Sequence, residues 1–143
     1  MGMIISGFSN IGKSSLKEYK NINYIDLDTC YFNKIDSSWI NIYIECILAL
    51  KDKYDYVLIT TYGDVLHELN KRRIKYYLVY PKIELKEEYK KRAIKRKSSQ
   101  DFIEGFFSRW DIHINDCIKN PNKNKIVLQE NQYLSDVILD IKD

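Results

Sequence analysis

Short aliphatic runs alternate with amphipathic stretches along the whole chain. Residues 3–6, 24–28, 56–60, 76–80 and 126–128 are apolar, aromatic or β-branched runs of strand length. Between them apolar residues recur at helical spacing. Helices are predicted at about 12–19, from Ser37 or Ser38 to about 50, from Gly63 onward, at about 84–97 and at 134–141. Ile40, Tyr43, Ile44, Ile47 and Leu48 form the buried stripe of the second, and Val65, Leu66 and Leu69 that of the third. Ile103, Phe107, Trp110, Ile114 and Cys117 read as one further helical stripe, broken by Asn120, Pro121 and Asn122. Ser98 and Asp101 form a capping-box pair at its start. Pro81 is expected to stop the fourth strand.

Strand and helix in strict alternation imply an α/β domain, with parallel strands, right-handed crossovers and helices on both faces. The chain has 143 residues, which suits a single domain over 1–143. Ligands in such sheets bind at the carboxyl ends of the strands. Composition excludes little beyond this. A net charge of +3 does not by itself imply a nucleic-acid binder. No stretch has the apolar length of a membrane span. The first residues lead into a core strand rather than a signal peptide, and Cys30, Cys46 and Cys117 show neither zinc spacing nor a disulfide framework. A cytoplasmic protein is the natural reading.

The first strand runs into Gly7-Phe8-Ser9-Asn10-Ile11-Gly12-Lys13-Ser14, which satisfies the phosphate-loop pattern G-x-x-x-x-G-K-[ST] in a strand–loop–helix context. The two glycines permit backbone angles that a side chain would forbid. Loop amides can then turn inward on a phosphate, joined by the free amides and dipole of the following helix. The expected nucleotide contacts are Gly7, Ser9, Asn10, Ile11, Gly12, Lys13, Ser14 and Ser15. Lys13 would reach the β- and γ-phosphates, and the Ser14 hydroxyl would ligate Mg²⁺.

Asp26 and Asp28 are two apart on the second strand and so share a face. Asp28, nearer the open end, is placed to take a proton from an acceptor hydroxyl. Asp26, deeper, is placed to hold a metal-bound water; the alternative is that one carboxylate merely caps the Cys30 region or pairs with a lysine. Thr60 and Thr61 stand where many phosphate-loop proteins carry an acid. The basic segment at about 82–100 hangs over the active edge, and Arg92 and Arg96, four apart, suit a phosphate clamp. Arg109 is a weaker candidate. His67 and His113 read as structural or exposed, and Trp39 and Trp110 as packing residues.

The loop 7–14, the Asp26-Leu27-Asp28 strand end and the basic helix resemble the small phosphate-loop kinases: the nucleoside monophosphate, shikimate and gluconate kinases. The run Leu78-Val79-Tyr80-Pro81, then Leu85 to Tyr89, Arg92 and Arg109-Trp110-Asp111, is also similar to short phage-encoded proteins described as nucleotide-kinase-like. The kinase resemblance implies a three-layer P-loop NTPase fold with sheet order 2-3-1-4-5, ATP with Mg²⁺, and a lid between strands four and five. The chain departs from that pattern in being short, in lacking the acid after strand three and in lacking a long arginine-rich lid. The implied activity is transfer of the γ-phosphoryl of ATP to a small acceptor, a nucleotide or nucleoside, with Lys13, Asp28, Arg92 and Arg96 as catalytic residues and Ser14 and Asp26 at the metal. Two other readings compete: a nucleotide-binding module with slow hydrolysis or a switch role, and a nucleic-acid 5′-end kinase, which the modest charge places third.

Overall fold

The computed structural model describes residues 2–19 and 21–142. Strands β1 (Met3–Gly7), β2 (Tyr24–Asp26), β3 (Tyr56–Ile59), β4 (Tyr77–Pro81) and β5 (Lys125–Leu128) form one sheet in the order β2-β3-β1-β4-β5. Every neighbouring pair is parallel. The α-helices are α1 (Ser38–Leu50), α2 (Gly63–Lys71), α3 (Lys86–Lys95), α4 (Gln100–Ser108), α5 (Trp110–Lys119) and the short α6 (Leu134–Val137). The architecture is therefore α/β with an all-parallel sheet, in the expected order. No helix among the described residues is long and apolar enough to cross a membrane.

Burial follows the strand order. Ile4 and Ile5 in β1, Val57 and Leu58 in β3, and Leu78 and Val79 in β4 are buried, while edge strand β2 is half open. Central parallel strands are covered on both faces, so their runs are continuously apolar. Right-handed crossovers assign α1, α2 and the α3–α5 connection to one face and the link after β1 to the other. Both central strands β1 and β3 thus end at the same edge, with the loop 7–14 leaving between β3 and β4.

Several local expectations change. The segment expected as a first helix over 12–19 is a single 3₁₀ turn, Ser14–Glu18. Its only buried side chain is Leu16, so it lacks the apolar stripe that holds a full helix to a core. The second strand stops at Asp26, two residues early. Pro81 is itself the last residue of β4, paired with Leu128, where the strand was expected to stop one residue before it. Val79 accepts from Phe8 N on the β1 side, so alternate groups point that way. The missing N–H of Pro81 therefore faces β1 beyond its last ladder bond, where no donor is needed.

The basic helix is shorter than 84–97, with a 3₁₀ turn Ile83–Leu85 leading into α3. The next helix is capped by Ser99, whose hydroxyl accepts from Phe102 N at 3.1 Å, rather than by Ser98. The single stripe is divided between α4 and α5 at Arg109, where φ is −109° and ψ 14°. All five stripe residues are nevertheless buried. Periodicity reports which side chains face the core, and a single off-helix residue can redirect the axis without moving them out.

Candidate functional site

The loop 7–14 is held open by its neighbours rather than by its own hydrogen bonds. Gly12 has φ 96° and Asn10 φ 66°. Gly7, expected to supply a second unusual angle, instead supplies space. A Cβ there would come within 2.7 Å of the Ile11 side chain and 3.1 Å of the Lys13 side chain. Asn10 takes the left-handed position, which asparagine tolerates better than most residues. Phe8 and Ile11 turn into the core. The Phe8 ring meets Phe106 and Trp110 edge-on at 5.5 and 5.4 Å. Ile11 O accepts from Leu134 N at 2.8 Å.

With those anchors in place, the amides of Ser9, Asn10, Ile11, Gly12, Lys13 and Ser14 meet no acceptor among the described residues. Asn10 and Ile11 are buried, and their open amides are unusual because backbone donors away from water are nearly always paired. The Lys13 ammonium crosses the mouth of the loop and donates to Gly7 O at 3.0 Å. That carbonyl holds it in place without neutralising it.

Opposite the loop lie the two acids. Together with Lys13, Ser14, Thr60, Thr61, Arg96 and Phe102 they line a cleft of about 410 Å³. Burial is the main cause that pulls Lys13 below its ordinary pKa, against Asp26 and Asp28, which push it up; Arg96 adds to the lowering. Burial also raises the Asp26 carboxyl, with help from Asp28, while Lys13 and Arg96 oppose. Asp26 remains open to solvent on its outer side. Cation and carboxylate each lose hydration in the cleft, and each is only partly compensated by the other. Asp28 caps the 3₁₀ turn Thr29–Tyr31, its Oδ1 accepting from Cys30 N at 2.9 Å. The capping role raised as the alternative is thus real, and the carboxylate also interacts with the Cys30 thiol.

What opens the cleft between the acids and the threonines is Tyr43, a residue that the sequence placed simply in the core stripe. Leu27 N still donates to Leu58 O, continuing the β2–β3 ladder. The next rung of a parallel ladder would join Thr60 N to Leu27 O. The Tyr43 hydroxyl is inserted there instead, donating to Leu27 O at 2.6 Å and accepting from Thr60 N at 3.3 Å. The strand ends are wedged apart at the site. A tyrosine within an otherwise aliphatic stripe is the signal that was available, since a buried phenol needs a partner. Tyr43→Phe should cost about 1–3 kcal/mol by leaving the two backbone groups unpaired. Denaturant midpoints measure that cost, and an unchanged midpoint would show that the rung closes by itself.

The two arginines share a face, as their spacing requires, and both reach Asn10. Arg96 Nη1 donates to the Asn10 side-chain oxygen at 2.8 Å and lines the cleft. Arg92 does not line it, which corrects the expectation of a two-arginine clamp. It is 9% exposed, donating to Asn10 O, Gln132 O and Glu88 Oε2 at 3.0, 2.8 and 2.8 Å. Its guanidinium lies between the rings of Tyr89 and Tyr133, at 4.3 and 3.8 Å. Burial pushes the Tyr89 phenol up to about 12. Arg109 stands exposed at the α4–α5 joint, away from the cleft. Phe102 was not foreseen as a lining residue, and nothing local marks it.

No three His, Cys, Asp or Glu side chains cluster as a metal site among the described residues. A Mg²⁺ carried on phosphates needs fewer protein ligands than that, one or two oxygens being enough. Ser14 and Asp26 line the same cleft as Lys13, and the partly desolvated Asp26 carboxyl is suited to a cation. The residues present therefore fit a phosphate-borne Mg²⁺. Compared with protein-family models and with curated proteins, the chain matches none.

Proposed function

We propose that the chain is a phosphate-loop kinase that moves the γ-phosphoryl group of ATP to a hydroxyl of a small acceptor, a nucleoside or nucleotide. One observation carries the reading: a cleft in which the loop residues Gly7, Ser9, Lys13 and Ser14, together with Arg96, stand across from Asp26 and Asp28. Such an arrangement supplies donors and cations for a polyphosphate on one wall and proton acceptors on the other. The loop amides and Lys13 would bind the β- and γ-phosphates. Ser14 and Asp26 would hold Mg²⁺, whose chemistry is to neutralise charge on the phosphates. The Asp28 carboxylate takes the acceptor proton as the acceptor oxygen bonds to the γ-phosphorus. The bond from that phosphorus to the β–γ bridging oxygen breaks, and ADP departs. Arg96, tethered by Asn10, is the cation left to follow the moving phosphoryl group.

Labelled ATP, offered with a panel of nucleosides, nucleotides, hydroxy acids and 5′-hydroxyl oligonucleotides, tests the reading. ATP binding with no transfer to any acceptor would count against it. Asp28→Asn should lower turnover by about 10²–10⁴-fold while ATP binding holds, because the amide cannot accept the proton.

A second reading has its own support. β3 is followed by Thr60 and Thr61, which cannot neutralise a metal. The chain would then bind nucleotide and hydrolyse it slowly. Under that reading Asp28→Asn leaves the residual hydrolysis unchanged, so the same variant separates the two.

A further inference from the structure

Thr60 and Thr61 line more than the phosphate cleft. They also form a wall of a second, larger cavity of about 640 Å³, set between α2 and α5 beside Phe8. Tyr62, Leu66 and His67 line it from the α2 side, and Phe106, His113 and Asp116 from the other. Its character differs from that of the cleft. Phe106 lies nearly parallel to His113, with centroids 4.9 Å apart, and edge-on to Phe8. Amide groups complete it: Asn70 and Asn120 both line the cavity, joined by a 3.3 Å hydrogen bond and both reached by the Tyr76 hydroxyl. The volume is that of a small-molecule site, and an aromatic wall with a few amides suits a flat ring with polar edges.

We infer that this cavity seats the base of a nucleoside acceptor, uncharged, whose sugar hydroxyl extends past Thr60 and Thr61 to Asp28. The inference rests on the kinase reading and names its acceptor. Charge decides between nucleoside and nucleotide. Lys13 and Arg96 are the cationic side chains of the phosphate cleft, and two carboxylates already face them. A triphosphate tail needs both cations. Arg92 is committed to the loop, Gln132 and Glu88, so it is not spare for a second phosphate. In the larger cavity Lys119 lines the wall together with Asp116, three residues before it on α5. Among the described residues that line the two hollows, an acceptor bearing its own phosphate would find no cation without a carboxylate in the same hollow, whereas a neutral nucleoside needs none.

The chain has two histidines, and both line this cavity. Their ¹³C-labelled imidazole signals therefore report on it alone. Adenosine, guanosine, cytidine and thymidine are titrated in turn, with and without saturating magnesium and a non-hydrolysable ATP analogue. At least one nucleoside is expected to move both signals saturably, and to do so with the analogue already bound. His113→Ala should weaken that binding about tenfold, the size of one lost stacking contact, and exposed His67→Ala should weaken it less. Nucleoside monophosphates should bind no tighter than nucleosides. Three results would each overturn the inference: silence from every nucleoside, movement by ribose or gluconate in their place, or displacement of the nucleoside by the analogue. A monophosphate binding tenfold tighter would overturn the uncharged acceptor. Magnesium tripolyphosphate, followed by calorimetry, tests the phosphate loop separately, because its binding depends on Lys13 and not on either histidine.

Discussion

Lys13→Met should weaken ATP binding about a hundredfold and leave the protein as stable as before, or more so. The lost interactions are charge-assisted hydrogen bonds to phosphate oxygens, worth about 3 kcal/mol together and so roughly a hundredfold in affinity. The stability half follows from the pKa. Burial lowers the folded-state pKa of Lys13 below the ordinary lysine value of 10.5. A lysine shifted in that direction costs stability wherever it is charged in the fold. The cost is full below the folded pKa and fades as the pH rises from there towards 10.5. Thermal denaturation at neutral pH should therefore show an equal or higher midpoint for the variant, with the difference shrinking in strong alkali. Phosphate bound beside the ammonium would draw its proton back. ATP affinity of the unaltered protein should accordingly fall as pH rises, starting below the usual lysine range. Calorimetry across neutral to alkaline pH reads this directly. A variant that still binds ATP at full affinity would remove the phosphate-loop reading itself.

Arg92→Ala carries the largest expected loss of stability. The side chain is almost wholly buried and ties three pieces of chain together: the loop through Asn10 O, the segment before α6 through Gln132 O, and its own helix through Glu88. Glu88 also accepts from Asn131 N, so the same carboxylate holds the far segment. Removing the guanidinium strands a half-buried carboxylate and two carbonyls and leaves a gap between two aromatic rings. Breaking a buried pair in this way costs about 3–5 kcal/mol. Urea unfolding should register it as a lower midpoint at unchanged slope. Arg92→Lys should rescue little, because one ammonium cannot reproduce the planar fork that reaches all three acceptors. ATP affinity should fall in both variants, since the loop loses its tether at Asn10 even though Arg92 lines no part of the cleft. A midpoint within about 1 kcal/mol of the unaltered protein would show that the network is replaceable.

The same arginine shows where reading along the chain stops. Its spacing from Arg96 placed both on one face, and that holds. Which of the two meets solvent depends on Tyr133 and Gln132, some forty residues on. Asp28 shows the opposite case. It lies two residues past the end of β2 and not within the strand, but the alternative that it caps the Cys30 region was legible, because that depends on residues within a turn of it. The expected helix over 12–19 failed for a related reason. The glycine–lysine–serine spacing marks a loop, but the length of the helix after it depends on how much apolar surface finds a core, and only Leu16 does.

The order of the amino acids was enough for the alternating strands and helices, a parallel sheet, and the loop at the end of the first strand; the strand sequence was expected only from the resemblance to phosphate-loop kinases. Backbone preference and side-chain period act between near neighbours, and the handedness of crossovers narrows the rest. Only the folded chain decided that Tyr43 wedges the β2–β3 edge, that Arg92 binds the loop while Arg96 faces the cleft, and that both histidines line one cavity. Each of those facts is a meeting of groups that are not neighbours in sequence, as far as 86 positions for Arg96 and Asn10. Local periodicity can aim a side chain at the interior or at an edge, but packing alone determines what it finds there.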